Sequence, residues 1–124
     1  MRLDASGQRV PEWGDHGIAW APTAYFQYTD VAVRPNGQVV ASSADYQSPQ
    51  GSVAALSFFD PAGRAIGGLW LEPVDRSGRA YGLLVTDDGR VLTAGGSNTG
   101  MFVAQVQGDT FLRAFLPWVL QSAP

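Results

Sequence analysis

The chain has no cysteine, no lysine and a single histidine. Without cysteine there is no disulfide framework and no thiol chemistry, and a Cys-based zinc site is excluded. A Ser-His-Asp relay would have to use His16, which sits in the turn-like stretch Gly14-Asp15-His16-Gly17. A solvated ring, or one bonded to Asp15, is the simplest reading of that histidine. No Gly-x-Ser-x-Gly nucleophile elbow occurs. Charge is also scarce, at 15% of residues against about 25% in ordinary domains. The net charge of −3 and the lack of a clustered basic stretch argue against a nucleic-acid footprint. No apolar run approaches the roughly 18 residues of a membrane helix. The longest, from Val53 to Phe59, is strand-length, and the opening Met1-Arg2-Leu3-Asp4 lacks the apolar region of a signal peptide.

What the chain does have is turns. Its 124 residues, one domain by length, include 15 glycines and 8 prolines. Apolar residues make up 45% of the whole and run throughout, so disorder is not indicated.

The turns recur in register. Val31-Ala32-Val33-Arg34-Pro35-Asn36-Gly37-Gln38-Val39-Val40 aligns with Leu83-Leu84-Val85-Thr86-Asp87-Asp88-Gly89-Arg90-Val91-Leu92, an offset of 52 from Gly37 to Gly89. Asn-Gly and Asp-Gly between short apolar runs signal hairpins, with positive φ expected at both turn positions of a type I′ turn. A second element repeats, Leu3-Asp4-Ala5-Ser6-Gly7 against Phe59-Asp60-Pro61-Ala62-Gly63, with a weaker echo at Val106-Gln107-Gly108-Asp109. The two elements alternate, which sets a strand order. Strands are expected near 29–34, 38–43, 52–59 and 64–71, then near 80–86, 90–94, 101–106 and 110–116. Polar loops at 43–51 and 95–100 join the second and third strands of each unit. Ahead of both lies a stray outer strand near 8–13, following the end of another at Arg2-Leu3. Helix is poorly supported, because glycine or proline interrupts almost every window of helical length. The tail from Thr110 to Leu120 has some helical spacing, but the repeat predicts a strand there.

The expected fold class is therefore all-β: two four-stranded antiparallel propeller-like blades plus a stray N-terminal outer strand. The divisions are 1–20, the end of a preceding blade; 21–72 and 73–116, the two blades; and 117–124, a tail. Propellers bury each blade between neighbours in rings of about four to eight. Two blades then suggest a fragment of a longer chain, a short chain that oligomerises, or sheets folded face to face.

The pattern resembles the delta-sixty repeat, a bacterial β-propeller-type repeat family. The residues that carry the resemblance are Arg34-Pro35-Asn36-Gly37-Gln38-Val39-Val40-Ala41-Ser42, Thr86-Asp87-Asp88-Gly89-Arg90-Val91-Leu92-Thr93-Ala94-Gly95, the two Asp-containing turns, and Trp13-Gly14 in the place of a unit-ending Phe-Gly. The pattern is lost at Ile66-Gly67-Gly68-Leu69-Trp70 and after Phe111. The resemblance implies scaffold rather than catalysis, and a secreted or cell-envelope setting.

Candidate chemistry is thin. Asp87-Asp88-Gly89 and Asp60-Pro61-Ala62-Gly63 could offer oxygens to calcium, but turns explain both. Asp60 with Glu72 or Asp75 could be imagined as a glycosidase pair, though surface charge explains them equally. Trp13, Trp20, Tyr25, Phe26, Tyr28 and Trp70 could stack on sugars or fill an inter-blade core. No catalytic residue, metal or cofactor is assigned. The speculative ligand-binding face consists of the longer loops opening on one end: Asp45, Tyr46, Gln47, Gln50, Asp75, Arg76, Ser97 and Asn98. The expected function is a non-catalytic binding or structural module. Its partners would be other blades, copies of itself, or a protein or carbohydrate ligand. The alternatives are part of a propeller enzyme of hydrolase type and a lectin-like carbohydrate binder.

Overall fold

The computed structural model describes residues 1–21, 26–46, 51–71, 78–97, 100–106 and 114–115. The chain is all-β, with two antiparallel sheets in simple meander order. The first contains β1 (Phe26–Val33), β2 (Val39–Asp45), β3 (Val53–Phe59) and β4 (Ala65–Trp70). The second contains β5 (Arg79–Val85), β6 (Val91–Ser97), β7 (Gly100–Val106) and the two-residue β8 (Ala114–Phe115). Every one overlaps a strand expected from the repeat; the remainder of 107–124 lies outside the described residues.

Four turns share one hydrogen-bond pattern. In Asp4–Gln8, Arg34–Gln38, Asp60–Arg64 and Thr86–Arg90, the first residue's amide donates to the last carbonyl, and the glycine amide donates to the first carbonyl. The glycines Gly7, Gly37, Gly63 and Gly89 all lie at φ between 84° and 86°. This corrects the expected type I′ geometry. Asn36 and Asp88 keep negative φ, so each hairpin is a type I turn closed by a left-handed glycine. Pro35 and Pro61 occupy the first central position, where their fixed negative φ suits type I and forbids I′.

Side chains lock these turns locally. The Asp4 carboxylate accepts from the Ser6 hydroxyl at 2.6 Å and from the Ser6 and Gln8 amides at 2.8 and 3.0 Å. These bonds, the Ser6 hydroxyl foremost, hold its carboxyl below the usual range. Asp60 accepts from the Arg64 amide at 2.9 Å, and Asn36 from the Gln38 amide at 3.0 Å. The Asp88 carboxyl is likewise lowered, first by the Thr86 hydroxyl and then by Arg90.

Two further expectations are corrected. Gly95 and Gly96 belong to β6, paired with Phe102 and Met101 of β7, so the expected loop over 95–100 loses residues 95–97 to β6 and Gly100 to β7. The N-terminal outer strand is reduced to an isolated Leu3–Arg9 bridge, and the backbone turns again where Trp13 donates to Val10. This segment is fastened to the first sheet by the Gly14 amide donating to the Ala62 carbonyl at 2.6 Å, and by the Trp13 indole donating to the Pro61 carbonyl at 3.1 Å.

The repeat extends to an irregularity. β1 shifts register between Tyr28 and Asp30, and β5 between Ala80 and Gly82, the same offset of 52 at both positions. Strand alternation and register then define two faces for each sheet. One face of the first sheet, here called leading, carries Ala32, Val40, Ser42, Ala54, Leu56 and Phe58. Its trailing face carries Tyr28, Val31, Val33, Val39, Ala41 and Phe59.

The two sheets stack through unlike faces. β5 lies against β1, β2 and β3. The core joins Val40, Ala54, Leu56 and Phe58 of the leading face to Ala80, Val91, Phe102, Ala104 and Val106 of the second sheet. By the offset of 52, Ala80 and Val91 correspond to Tyr28 and Val39, so the second sheet contributes its trailing face. Every residue of β3 is buried, as expected for a central strand covered on both sides.

Polar groups bridge the same junction. The Asp30 carboxylate accepts from the Val31 amide at 2.8 Å and, with its other oxygen, from the Leu83 amide at 2.8 Å. Those two amides are equivalent positions of the two units. The Thr29 hydroxyl donates to the Ala80 carbonyl at 2.5 Å, and the buried Arg34 guanidinium donates to the Gly89 carbonyl at 2.9 Å and to the Gln38 side chain at 2.6 Å.

Candidate functional site

Meander topology sends the three hairpin turns at Arg34–Gln38, Asp60–Arg64 and Thr86–Arg90 to one end of the sheets and the other strand termini to the opposite end. That opposite end is the loop face expected from sequence. Asp45, Tyr46 and Ser97 are the candidates on it that the structure describes; Gln47, Gln50, Asp75, Arg76 and Asn98 lie outside the described residues, as do Glu72 and Tyr25.

Asp45 closes β2 and is 1% exposed. Its carboxylate accepts a 2.8 Å hydrogen bond from the indole of Trp70, at the end of β4. Trp70 is half exposed, so this bond links a ring at the rim to a buried acid. Tyr46 follows directly, and the Arg79 guanidinium at the start of β5 stands 5.5 Å from its ring centroid, a cation–π distance. The Ser52 hydroxyl donates to the Gly78 carbonyl at 3.1 Å, tying the two sheets at this end. Ser97 donates weakly to the Gly100 carbonyl at 3.5 Å.

The structure thus brings Tyr46 together with Arg79, and Asp45 together with Trp70. Sequence reasoning did not place Arg79 in the site and assigned Trp70 to a generic aromatic cluster. Arg79 opens β5 beside the end of β6 that carries Ser97, which the meander order already implied, whereas Trp70 pairs with Ala55 of β3, so only the tertiary structure brings its indole to Asp45. Replacing Trp70 with phenylalanine keeps the ring but removes the donor to a buried carboxylate. Urea unfolding should register a loss of about 1.5–3 kcal/mol, the range for hydrogen bonds to charged groups. A loss below about 0.5 kcal/mol would mean that water replaces the indole without penalty.

A concavity lies elsewhere, on the trailing face of the first sheet. It is a cleft of about 1010 Å³, walled on one side by Leu3 and Trp13 of the N-terminal segment and floored by Val31, Val33, Val39 and Phe59. Tyr28 borders it, its ring edge-on to Phe59 at 6.4 Å and its hydroxyl donating to Ser57 at 3.0 Å. Burial pushes that phenol above its ordinary range, against the effect of the Ser57 bond. The lining is mainly apolar, with Arg2 and Asp30 its charged members.

Neither the loop end nor the cleft assembles a reactive constellation from the described residues. His16 is 90% exposed at its side chain and meets Asp15 at 2.6 Å, in a left-handed conformation with φ of 52°. Asp60 and Asp88 are engaged in their turns. Among the described residues no three His, Cys, Asp or Glu side chains come close enough to hold a metal ion. None of their helices is long and apolar enough to cross a membrane. Compared with family models, curated proteins and solved structures, the chain matches none.

Proposed function

We propose that the chain is a non-catalytic binding or structural module of β-propeller type, built from units similar to delta-sixty repeats. One observation carries this reading: the two sheets share the same bulge at an offset of 52 and stack leading face to trailing face. A two-sheet sandwich closed on itself would bury both inner faces and leave solvated outer ones. Stacking by unlike faces instead repeats one junction, which is how sheets accumulate radially in propellers and linearly in solenoids. The rigid scaffold would then present the loop end around Tyr46, Arg79 and Trp70 for recognition.

In such an array, stability is the sum of unit terms and junction terms. A tandem fusion of two chains should therefore gain a junction. It should unfold in one transition, at a higher urea concentration than the single chain at a protein concentration that keeps the latter monomeric. Equal midpoints for the two would count against the reading. The same preparations should leave generic ester and glycoside substrates untouched; turnover lost on mutation of the chain would favour the enzyme alternative.

A further inference from the structure

We infer that copies of this chain associate head to tail, the leading face of the second sheet in one copy docking on the trailing face of the first sheet in the next. This rests on the repeat-unit reading above. The occupant follows from correspondence within the chain. The offset of 52 maps Ala32, Val40 and Ser42 of the buried leading face onto Leu84, Leu92 and Ala94. It maps Leu83 and Val85, packed against the core, onto Val31 and Val33. Among the described residues, the parts of the two outer faces that stay exposed are therefore counterparts of surfaces that the chain itself uses at its internal junction; on the trailing face these lie along β1, since Ala41, Ser57 and Phe59 are already buried.

Exposure agrees with that placement. Leu84 is 62% exposed and Val103 41% on one open face; Val31 is 62% and Val33 63% exposed on the other. Val40 and Leu56, the counterparts of Leu92 and Val103, are 0% and 1% exposed at the internal junction. Apolar faces of this kind are uncommon on the surface of a monomer and mark interaction sites. The cleft in front of Val31 and Val33 is shared with Leu3 and Trp13 of the N-terminal segment, which an incoming sheet would also contact.

The new junction differs from the internal one in chemistry. Asp30 and Arg34, which bridge the internal junction, are replaced at the offset of 52 by Gly82 and Thr86. Tyr81, Leu84, Leu92, Ala94, Val103 and Gln105 on the open leading face carry no charge, and Arg79, on the same face by register, is directed to the Tyr46 ring. Association is thus driven by apolar burial, and raising the salt concentration does not weaken it. A contact between unlike faces is heterologous, so it closes into a ring or continues as a filament. With two sheets per copy, two to four copies reach the about four to eight sheets of closed propellers.

Sedimentation velocity on the full chain tests this, with two variants that each carry an arginine on one open face, Leu84→Arg and Val31→Arg. The parent should sediment as a species larger than a monomer at micromolar concentration, equally in low and high salt. Each variant alone should be monomeric. Their equimolar mixture should form a dimer, because each contributes one intact face. If either arginine variant fails to fold, Leu84→Gln and Val31→Thr replace it, with association expected to weaken rather than vanish. A parent that stays monomeric at every concentration overturns the inference. So does a Val31→Arg variant that self-associates as strongly as the parent, since that indicates contact between like faces. A monomeric parent alongside a tandem fusion of raised stability rejects this association while leaving the module reading in place; a fusion with no gain rejects the module reading itself.

Discussion

Phe58→Ala is expected to lower the unfolding free energy by about 3–5 kcal/mol, the range for truncating a buried phenylalanine. Phe58 is 1% exposed and sits on the leading face of the first sheet, within the cluster that includes Val91, Phe102 and Val106. β3 is covered on both sides, so the surrounding sheets have little freedom to collapse into the space left behind. A domain of ordinary stability has only about 5–15 kcal/mol in total. The variant should therefore be partly unfolded at moderate temperature, and both sheets should melt together. Circular dichroism during urea unfolding measures this. A loss under about 1 kcal/mol would indicate that the two sheets do not share one core. Two separated transitions in the parent would say the same.

Gly95→Ala is the second large effect, and here backbone geometry causes it. A methyl group at Gly95 would stand 2.0 Å from the Arg79 carbonyl oxygen and 2.6 Å from the Phe102 ring. The carbonyl belongs to the β5 backbone beside the Ala80–Gly82 bulge, so it can move only by breaking strand pairing. The ring is itself part of the core. The expected cost is about 3 kcal/mol or more, at or beyond the upper end for overpacking. Its neighbour supplies the control. A methyl group at Gly96 meets nothing closer than 3.7 Å, so Gly96→Ala should change stability by no more than about 0.5 kcal/mol. Thermal melts of both variants side by side would decide the point. Equal behaviour at the two positions would mean that the bulge and the Phe102 ring rearrange freely.

These two positions also show where the sequence stopped being informative. Phe58 lies in a short apolar run between turn residues, and strand and burial could both be read from that. Gly95-Gly96 reads as a loop, because paired glycines are turn signals. In the fold they lie in β6, where the Phe102 ring and the bulged β5 leave no space for a side chain at Gly95. Only the neighbouring strand reveals that need. The hairpins at Arg34–Gln38 and Thr86–Arg90 were legible as hairpins, whereas their turn type rests on a single left-handed glycine in each, with Pro35 enforcing it in the first. The N-terminal segment carried the same turn as Asp60–Arg64, yet without neighbouring strands it forms bridges rather than a strand.

The loop-end site was legible only as a location. Strand order alone brings Asp45, Tyr46 and Ser97 to one end. Their chemistry came from tertiary partners: the Trp70 indole on a buried Asp45, and the Arg79 guanidinium over Tyr46.

By itself, the sequence determined the all-β class, the meander order and the 52-residue period, because turn chemistry is local and recurs in register. Tertiary structure alone decided which face of each sheet is covered. β3 reads Val-Ala-Ala-Leu-Ser-Phe-Phe, apolar at nearly every position on both faces, so alternation cannot name an inside. That choice is made by the stacking of a leading face on a trailing face, and the same stacking leaves Leu84 and Val31 exposed at opposite ends.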